Sequence, residues 1–267
     1  MYARTRRLAF IASIFVGIST AHAQQVLKVG HVPFNAPVAF VPEATASNYR
    51  TLDPKAHPGQ GALIDLLNAI AKDAGLQFQY VPIVAGEQVA RLMDKSIDLI
   101  TVSAAGPPES KSLIVFTGPV YVVYEALIVR KGDPKQYKTF VDLRGLVVGV
   151  QEGTVSAGAI LKAGIFAAVK QYKSGAELER AVGDGSIAAG IDSSAFGAIY
   201  RLQNDKAAGW EISQSYEPKF VFPNSMGARK GDEELVKKID VSLAHLKSDG
   251  SAHAIFAKWG VERALAN

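Results

Sequence analysis

Short apolar segments alternate with amphipathic segments along most of the chain. Residues 62–75 carry apolar side chains at the spacing of one helix face and end at Gly75, a residue typical of helix ends. Runs rich in β-branched and aromatic residues at 26–32, 78–83 and 97–102 predict strands, with a helix over 87–94 before the last of them. Strands that alternate with helices indicate an α/β protein whose parallel strands are joined by crossover helices.

The same alternation starts again near residue 126. It predicts strands at 126–129, 147–151, 167–172 and 187–191, with helices from about 156, over 175–182 and over 195–203. A strand near 220–222 and two amphipathic helices between 232 and 259 complete the pattern, and we expect these two helices to cover the first sheet. The chain would then cross twice between two lobes. The first lobe would hold residues 24–126 and 224–267, and the second lobe residues 127–223.

The first residues have the layout of an export signal. Three arginines within the first seven residues precede the apolar run at 8–17, and Ala-His-Ala follows at 21–23. A basic region, a short apolar region and a small-x-small site are the three parts of a secretory signal peptide, so residues 1–23 are predicted to be removed near Ala23. The alternative is a membrane anchor, but the apolar run is short for a helix that spans a bilayer.

Composition narrows the class of protein. The chain has 267 residues, of which 48% are hydrophobic and 20% charged, enough for one large or two small folded domains. It has no cysteine, which excludes disulfides, thiolate metal sites and a cysteine nucleophile. Without Arg4, Arg6 and Arg7 the formal charge of +4 falls to about +1, so nucleic acid is not an expected partner. No motif indicates a cofactor or a metal.

Several motifs in order resemble the bacterial family 3 periplasmic solute-binding proteins, the polar amino-acid-binding group. They are LKVG at 27–30, GALIDLL at 61–67, KSIDLI at 95–100, FTGPVY at 116–121, DLRGLVVGVQEGT at 142–154, GSIAAGID at 185–192, GARK at 227–230, SDG at 248–250 and KWG at 258–260. The resemblance covers nearly all of the chain after residue 23. It implies a two-lobed Venus-flytrap fold of type II, in which each lobe is a mixed sheet flanked by helices.

The resemblance also implies a function and partners. A monomeric protein in the periplasm would capture a small polar solute between its lobes by hinge closure. It would deliver that solute to an inner-membrane ABC permease.

Two positions decide which ligand the resemblance implies. In relatives that bind amino acids, an arginine six residues before the Phe-Ser/Thr-x-Pro segment holds the ligand carboxylate, and here that position is Ser110. The alternative is that the neighbouring Lys111 takes the place of the arginine, which requires a rotation of the loop. Asp192 matches the acidic residue that pairs with the ligand amino group, although it also suits the N-terminal cap of the helix that follows. The missing arginine predicts a ligand that is not a standard α-amino acid, such as an amine, an alcohol or another polar neutral solute.

Other candidate ligand residues lie at the ends of predicted strands and in the first loop. Gln151, Gly153 and Thr154 precede a helix whose N-terminal N–H groups suit an anionic or carbonyl group. Across the cleft we expect contacts from a second set: Asn35, Phe40, Ser103, Ala104, Gly106 and Tyr121. Packing in the core is the alternative for Phe40 and Tyr121. The polar stretch at 42–61 is either a cleft rim or a disordered loop.

Two other classes of function remain open. The same fold hosts a few periplasmic dehydratases, for which Glu152 or Glu109 would be the acid catalyst. A sensor that reports ligand occupancy to a membrane partner is the other alternative. The chain has no His-Glu-x-x-His zinc motif, no Gly-x-Ser-x-Gly elbow and no phosphate-binding loop, so we predict a binding protein and not an enzyme.

Overall fold

The computed structural model describes residues 26–44, 47–53, 55–83, 85–103 and 112–266. Within these ranges the chain forms two five-stranded mixed sheets and one small hairpin. The predicted signal peptide lies outside the described residues.

The first sheet has the strand order β4-β1-β5-β12-β6, with β1, β4 and β5 parallel and β12 antiparallel to both of its neighbours. Its strands are β1 (Val26–His31), β4 (Gln77–Pro82), β5 (Leu99–Ser103), β6 (Ile114–Tyr124) and β12 (Val221–Arg229). The hairpin of β2 (Phe34–Asn35) and β3 (Ala39–Phe40) follows β1 directly.

Helices cover both faces of this sheet. They are α1 (Ala62–Ala74), α2 (Gln88–Met93), α6 (Glu233–Ser248) and α7 (Ser251–Lys258). Leu99 packs in one core with α1, α6 and α7, whereas the adjacent Ile100 packs in a second core with Leu92 of α2. Neighbouring strand residues point to opposite faces, so the sheet lies between these two cores. The two C-terminal helices cover the first sheet, as predicted.

The second sheet has the order β11-β7-β10-β8-β9, in which β8, β9 and β10 are parallel. Its strands are β7 (Ala126–Arg130), β8 (Val147–Gln151), β9 (Ala168–Tyr172), β10 (Ala189–Asp192) and β11 (Trp210–Ile212). Its helices are α3 (Val155–Ala163), α4 (Gly175–Gly183) and α5 (Ala195–Asn204). Each begins at a hydroxyl residue that accepts a backbone N–H bond, namely Thr154, Ser174 and Ser194.

The chain passes between the sheets at residue 125 and again over 213–220. Glu125 ties these two crossings together, because its carboxylate lies at the first crossing and accepts hydrogen bonds from the second. Oε1 accepts from the Lys219 N–H at 2.7 Å and the Tyr216 hydroxyl at 3.0 Å, and Oε2 accepts from the Phe220 N–H at 2.9 Å. Only 1% of Glu125 is exposed. A buried carboxylate thus holds the two crossing segments side by side.

The largest departure from the sequence pattern is β6, an eleven-residue strand that the pattern did not predict. Gly118 and Pro119 interrupt its apolar run, and both residue types weaken a strand assignment. The structure accommodates them because β6 is an edge strand, and the ladder with β12 is irregular where Pro119 faces Ser225. Strand β12 is also longer than the three residues predicted.

Candidate ligand-binding site

Two neighbouring parallel strands of the second sheet, β8 and β10, end at the same edge. The Ser193 hydroxyl, directly after β10, donates a hydrogen bond of 3.2 Å to the Gln151 side-chain oxygen at the end of β8. Carboxyl ends of parallel strands are where open α/β sheets bind ligands. This edge therefore presents a neutral amide–hydroxyl pair.

The turn after β8 adds further neutral polar groups. Gly153 has φ 74°, a left-handed conformation that glycine adopts without strain. The Thr154 hydroxyl donates to the Gln151 backbone oxygen at 2.8 Å, accepts from the Ala157 N–H at 3.1 Å and lies 3.2 Å from the Ser156 hydroxyl. Thr154 is thus the N-terminal cap of α3, and the turn is fixed by its own hydrogen bonds.

Asp192 is directed into the interior of the second lobe. Only 1% of it is exposed, its Oδ1 accepts the Ser194 N–H at 2.8 Å, and its Oδ2 accepts from Arg201 Nη2 at 2.7 Å. Burial raises the pKa of Asp192, against the lowering effect of Arg201. These contacts favour a structural role at the start of α5, where Ser194 is the N-terminal cap; the contact between Asp192 and a ligand amino group stays a prediction.

Arg201 also binds a second buried carboxylate. Its Nε and Nη2 donate to the two oxygens of Glu179 in α4, both at 2.8 Å, in a bidentate pair. Burial raises the pKa of Glu179 to about 7, although Arg201 acts in the opposite direction. We call Glu179, Asp192 and Arg201 the buried triad.

In the first lobe, Phe40 and Tyr121 are buried. Phe40 packs at 5.9 Å between ring centres against Trp259 and at 5.5 Å against Tyr200 of α5. Tyr121 lies in the core of the first lobe, and burial raises its pKa to about 12. For both side chains these surroundings favour packing, the alternative noted from the sequence, over ligand contact.

Of the remaining residues predicted to contact the ligand, some lie within the described ranges and others do not. Asn35 is half-buried in β2 and pairs with Ala39 in β3, and the backbone of Ser103 pairs with Asn224 in β12. Ala104, Gly106 and Ser110 lie outside the described residues, as does Lys111. In the polar stretch at 42–61, Lys55, His57 and Gly59 line a cavity of about 400 Å³ together with residues of α1 and β4.

Sequence reasoning missed Ser193 and Arg201. The run Asp-Ser-Ser at 192–194 held the signal for Ser193, because adjacent residues at a strand end point to opposite sides. If Asp192 faces the interior, Ser193 faces away from it. For Arg201 the available signal was its position nine residues after Asp192, in the helix that follows. An acid and a base at this separation are too common in sequences to predict an ion pair.

Over the described ranges no group of three or more His, Asp or Glu side chains is arranged to hold a metal ion. None of the helices in the part of the chain that the structure describes is long and apolar enough to cross a membrane.

Two lobes with separate sheets, joined by two crossing segments, define the Venus-flytrap class of α/β binding proteins. The L-cystine solute receptor of Neisseria gonorrhoeae in its unliganded open conformation has this fold, with a TM-score of 0.73, 15% identity and coverage of 90% of this chain and 95% of that chain. A histidine kinase sensor domain with similarity to periplasmic binding proteins also shares it, with a TM-score of 0.62, 20% identity and coverage of 88% and 96%.

The sequence identifies the family within that class. A model of the bacterial extracellular solute-binding proteins, family 3, matches residues 38–262, and the chain belongs to this family. The amino-acid-binding protein AabA of Dichelobacter nodosus is 30% identical over 262 residues, which cover 93% of this chain and 94% of that protein. Members of the family are binding proteins rather than enzymes.

Proposed function

We propose that this protein is a periplasmic receptor that holds a small neutral polar solute between its lobes and delivers it to an ABC permease. The observation that carries the choice of ligand is the position of Asp192, whose two carboxylate oxygens are occupied by Ser194 and Arg201 inside the second lobe.

A standard α-amino acid has two charged groups that need partners in a closed cleft. The position that holds the ligand carboxylate in relatives is Ser110, and the acid that matches the ammonium partner is already paired with Arg201. An unpaired charge buried in the cleft costs several kcal/mol. A ligand that presents hydroxyl or amide groups avoids this cost.

The neutral pair of Gln151 and Ser193 supports such a ligand. An amide and a hydroxyl both donate and accept hydrogen bonds, which suits alcohols and amides. We propose that Gly153 and Thr154 complete the contact surface of the second lobe. In the first lobe we propose Asn35 and the segment of Ser103, Ala104, Gly106 and Ser110.

Calorimetry tests the choice of ligand. The mature protein, without residues 1–23, is titrated with each of the twenty amino acids and with a panel of sugars, polyols and small amides. We expect micromolar binding only within the neutral panel. Micromolar binding of a standard amino acid contradicts the proposal.

Two pairs of variants test the contact surface. Gln151→Ala and Ser193→Ala should each weaken binding of the ligand found in the panel by about tenfold, because each removes one hydrogen bond. Gln171→Ala and Ser186→Ala remove the same side chains from exposed positions of the second lobe and should leave the affinity unchanged. Equal losses in both pairs would mean that the site lies elsewhere.

Export and delivery are tested in cells. Intact mass of the protein from the periplasmic fraction should correspond to cleavage near Ala23, and sedimentation should show a monomer. Cross-linking in the presence of ligand should capture an ABC permease. Capture of a sensor kinase instead would favour the sensor alternative, and turnover of the ligand by the purified protein would favour a dehydratase-like enzyme.

A further inference from the structure

Helix α5 belongs to the second lobe in sequence but contacts both lobes. Phe196 packs in the core of the first lobe, with its ring 5.0 Å from that of Tyr124 in β6. One turn later, Tyr200 lies 5.5 Å from Phe40 of β3. The helix is therefore docked on the first lobe through two aromatic side chains.

The buried triad attaches the same helix to the second lobe. Arg201 of α5 reaches Glu179 in α4 and Asp192 at the end of β10, and these two carboxylates are 2% and 1% exposed. Asp192 is followed by Ser193 of the cleft edge and by Ser194, the cap of α5. The triad is therefore directly connected through the backbone to Ser193 and to the first turn of α5.

The charges of the triad do not balance when both acids are ionised, because one guanidinium faces two carboxylates. Burial raises the pKa of Glu179 to about 7, so this group changes its charge near neutral pH. When it is protonated, the triad is neutral and the carboxyl group can donate to Asp192. When it is ionised, one uncompensated negative charge lies in the interior of the lobe, where charges are poorly solvated.

Other titratable groups near Glu179 have other roles. Tyr200, Arg180, Asp184 and Asp205 line the cavity of about 570 Å³ beside it. On the strands packed against α4, Lys170 donates to the Ser186 oxygen, Glu211 accepts from the Gly132 N–H, and Arg130 and Tyr172 interact electrostatically with Asp184. Among the described residues, Arg201 and Asp192 are the two side chains that act on the pKa of Glu179, in addition to its burial.

We propose that Arg201 is a positioning residue for the ligand cleft, and that the charge balance of the buried triad sets how firmly Ser193 and helix α5 are held. This inference rests on the proposed function, since it concerns the same cleft. The neutral triad holds the cleft edge and the docked helix in place, and the negatively charged triad loosens both.

The central test compares the wild type with Glu179→Gln. Glutamine is uncharged at every pH, as the protonated acid is: its oxygen accepts one of the two hydrogen bonds from Arg201, and its N–H can donate to Asp192. For the ligand identified by calorimetry, the Kd of the wild type should rise about fivefold between pH 6 and pH 8, at the low end of typical coupling between sites. The Kd of the variant should stay constant over this range.

Glu177→Gln is the matched control, because it makes the same change at an exposed position of the same helix. It should keep the pH dependence of the wild type. A wild-type Kd that does not change between pH 6 and pH 8, or a change that persists in Glu179→Gln, overturns the proposal.

A second readout needs no ligand. The chain has no cysteine, so spin labels attach only at cysteines introduced at Leu161 of α3 and Val241 of α6, which are exposed and lie in different lobes. The distribution of distances between the labels should broaden from pH 6 to pH 8 in the wild type and remain constant with Glu179→Gln. If no ligand is found, the proposed function fails while this measurement still decides the role of the triad; an unchanged distribution in the wild type contradicts that role.

Discussion

Two buried carboxylates in this protein are stabilised in different ways. Within the described residues, Glu125 accepts hydrogen bonds from three neutral donors, two backbone N–H groups and a tyrosine hydroxyl. Asp192 pairs with a guanidinium that it shares with Glu179. Two backbone N–H groups and one hydroxyl hold Glu125 at the crossing segments, whereas ion pairs between side chains hold the buried triad together.

The difference indicates which region is adjustable. Two of the three donors to Glu125 are backbone N–H groups of the second crossing segment, so these hydrogen bonds join the two segments directly. The triad has one more carboxylate than cations, and the pKa of one carboxylate lies near neutrality. We therefore expect a change of pH near neutrality to act on the buried triad and on helix α5.

The largest effect is expected from Glu125→Ala. It leaves two backbone N–H groups and the Tyr216 hydroxyl without an acceptor in the interior, at a cost of about 4 kcal/mol in the free energy of unfolding. Urea denaturation monitored by circular dichroism measures this loss. Lys219→Ala keeps the backbone N–H and serves as the control, with a change below about 0.5 kcal/mol. A small loss in the free energy of unfolding for Glu125→Ala would show that water accepts the hydrogen bonds in place of the carboxylate.

A somewhat smaller effect is expected from Arg201→Met. Both carboxylates lose their cation, and the free energy of unfolding should fall by about 3 kcal/mol at pH 8. At pH 5 the loss should be smaller, because burial raises the pKa values of both acids and Glu179 can take up a proton. Urea denaturation at the two pH values measures the difference. Equal losses at both would mean that Arg201 acts through packing alone.

Glu179→Gln should change the pH dependence of stability. The folded pKa of about 7 is above the usual 4.5, so the stabilisation associated with the protonated acid is complete below pH 4.5 and is lost as the pH rises to 7. At pH 8 the variant should exceed the wild type by about 1–2 kcal/mol, and the gain should disappear near pH 5.

The comparison for Glu179→Gln requires the difference between variant and wild type at each pH. Burial lowers the pKa of His31 to about 4, and this group lowers the stability of both proteins as the pH falls below 6.5. Subtraction removes its contribution. A difference that does not vary with pH contradicts the assignment of Glu179 as the titrating acid.

The smallest effect on stability is expected from Phe196→Leu, which keeps an apolar side chain in the first-lobe core. The ring contact with Tyr124 is lost, at a cost of about 1 kcal/mol. The docking of α5 should weaken, and hydrogen exchange of the α5 amides should become faster while exchange in α4 stays unchanged. Faster exchange in both helices would indicate general destabilisation instead.

Local sequence signals located most of the secondary structure. The apolar spacing of α1 and the left-handed Gly75 after it, with φ 62°, placed that helix to within one residue. The hydroxyl caps at Thr154, Ser174 and Ser194 start α3, α4 and α5. Strand β6 was not predicted because Gly118 and Pro119 weaken the strand pattern. A strand tolerates proline at the edge of a sheet, and which strand lies at the edge is decided only when the sheet assembles.

Alternating periodicity and capping residues are local, so the sequence by itself determined the fold class and the strand ends at which the candidate site is proposed, and its ordered motifs carried the resemblance to the family. Tertiary structure alone decided the direction of Asp192. Asp192 stands at a strand end whether it faces a ligand or the interior. Helices α4 and α5 bring Glu179 and Arg201 against it, and a buried carboxylate without a cation would be costly in free energy, so Asp192 pairs with Arg201. Helices α4 and α5 thus bring Asp192 into an ion pair that its position in the sequence does not indicate.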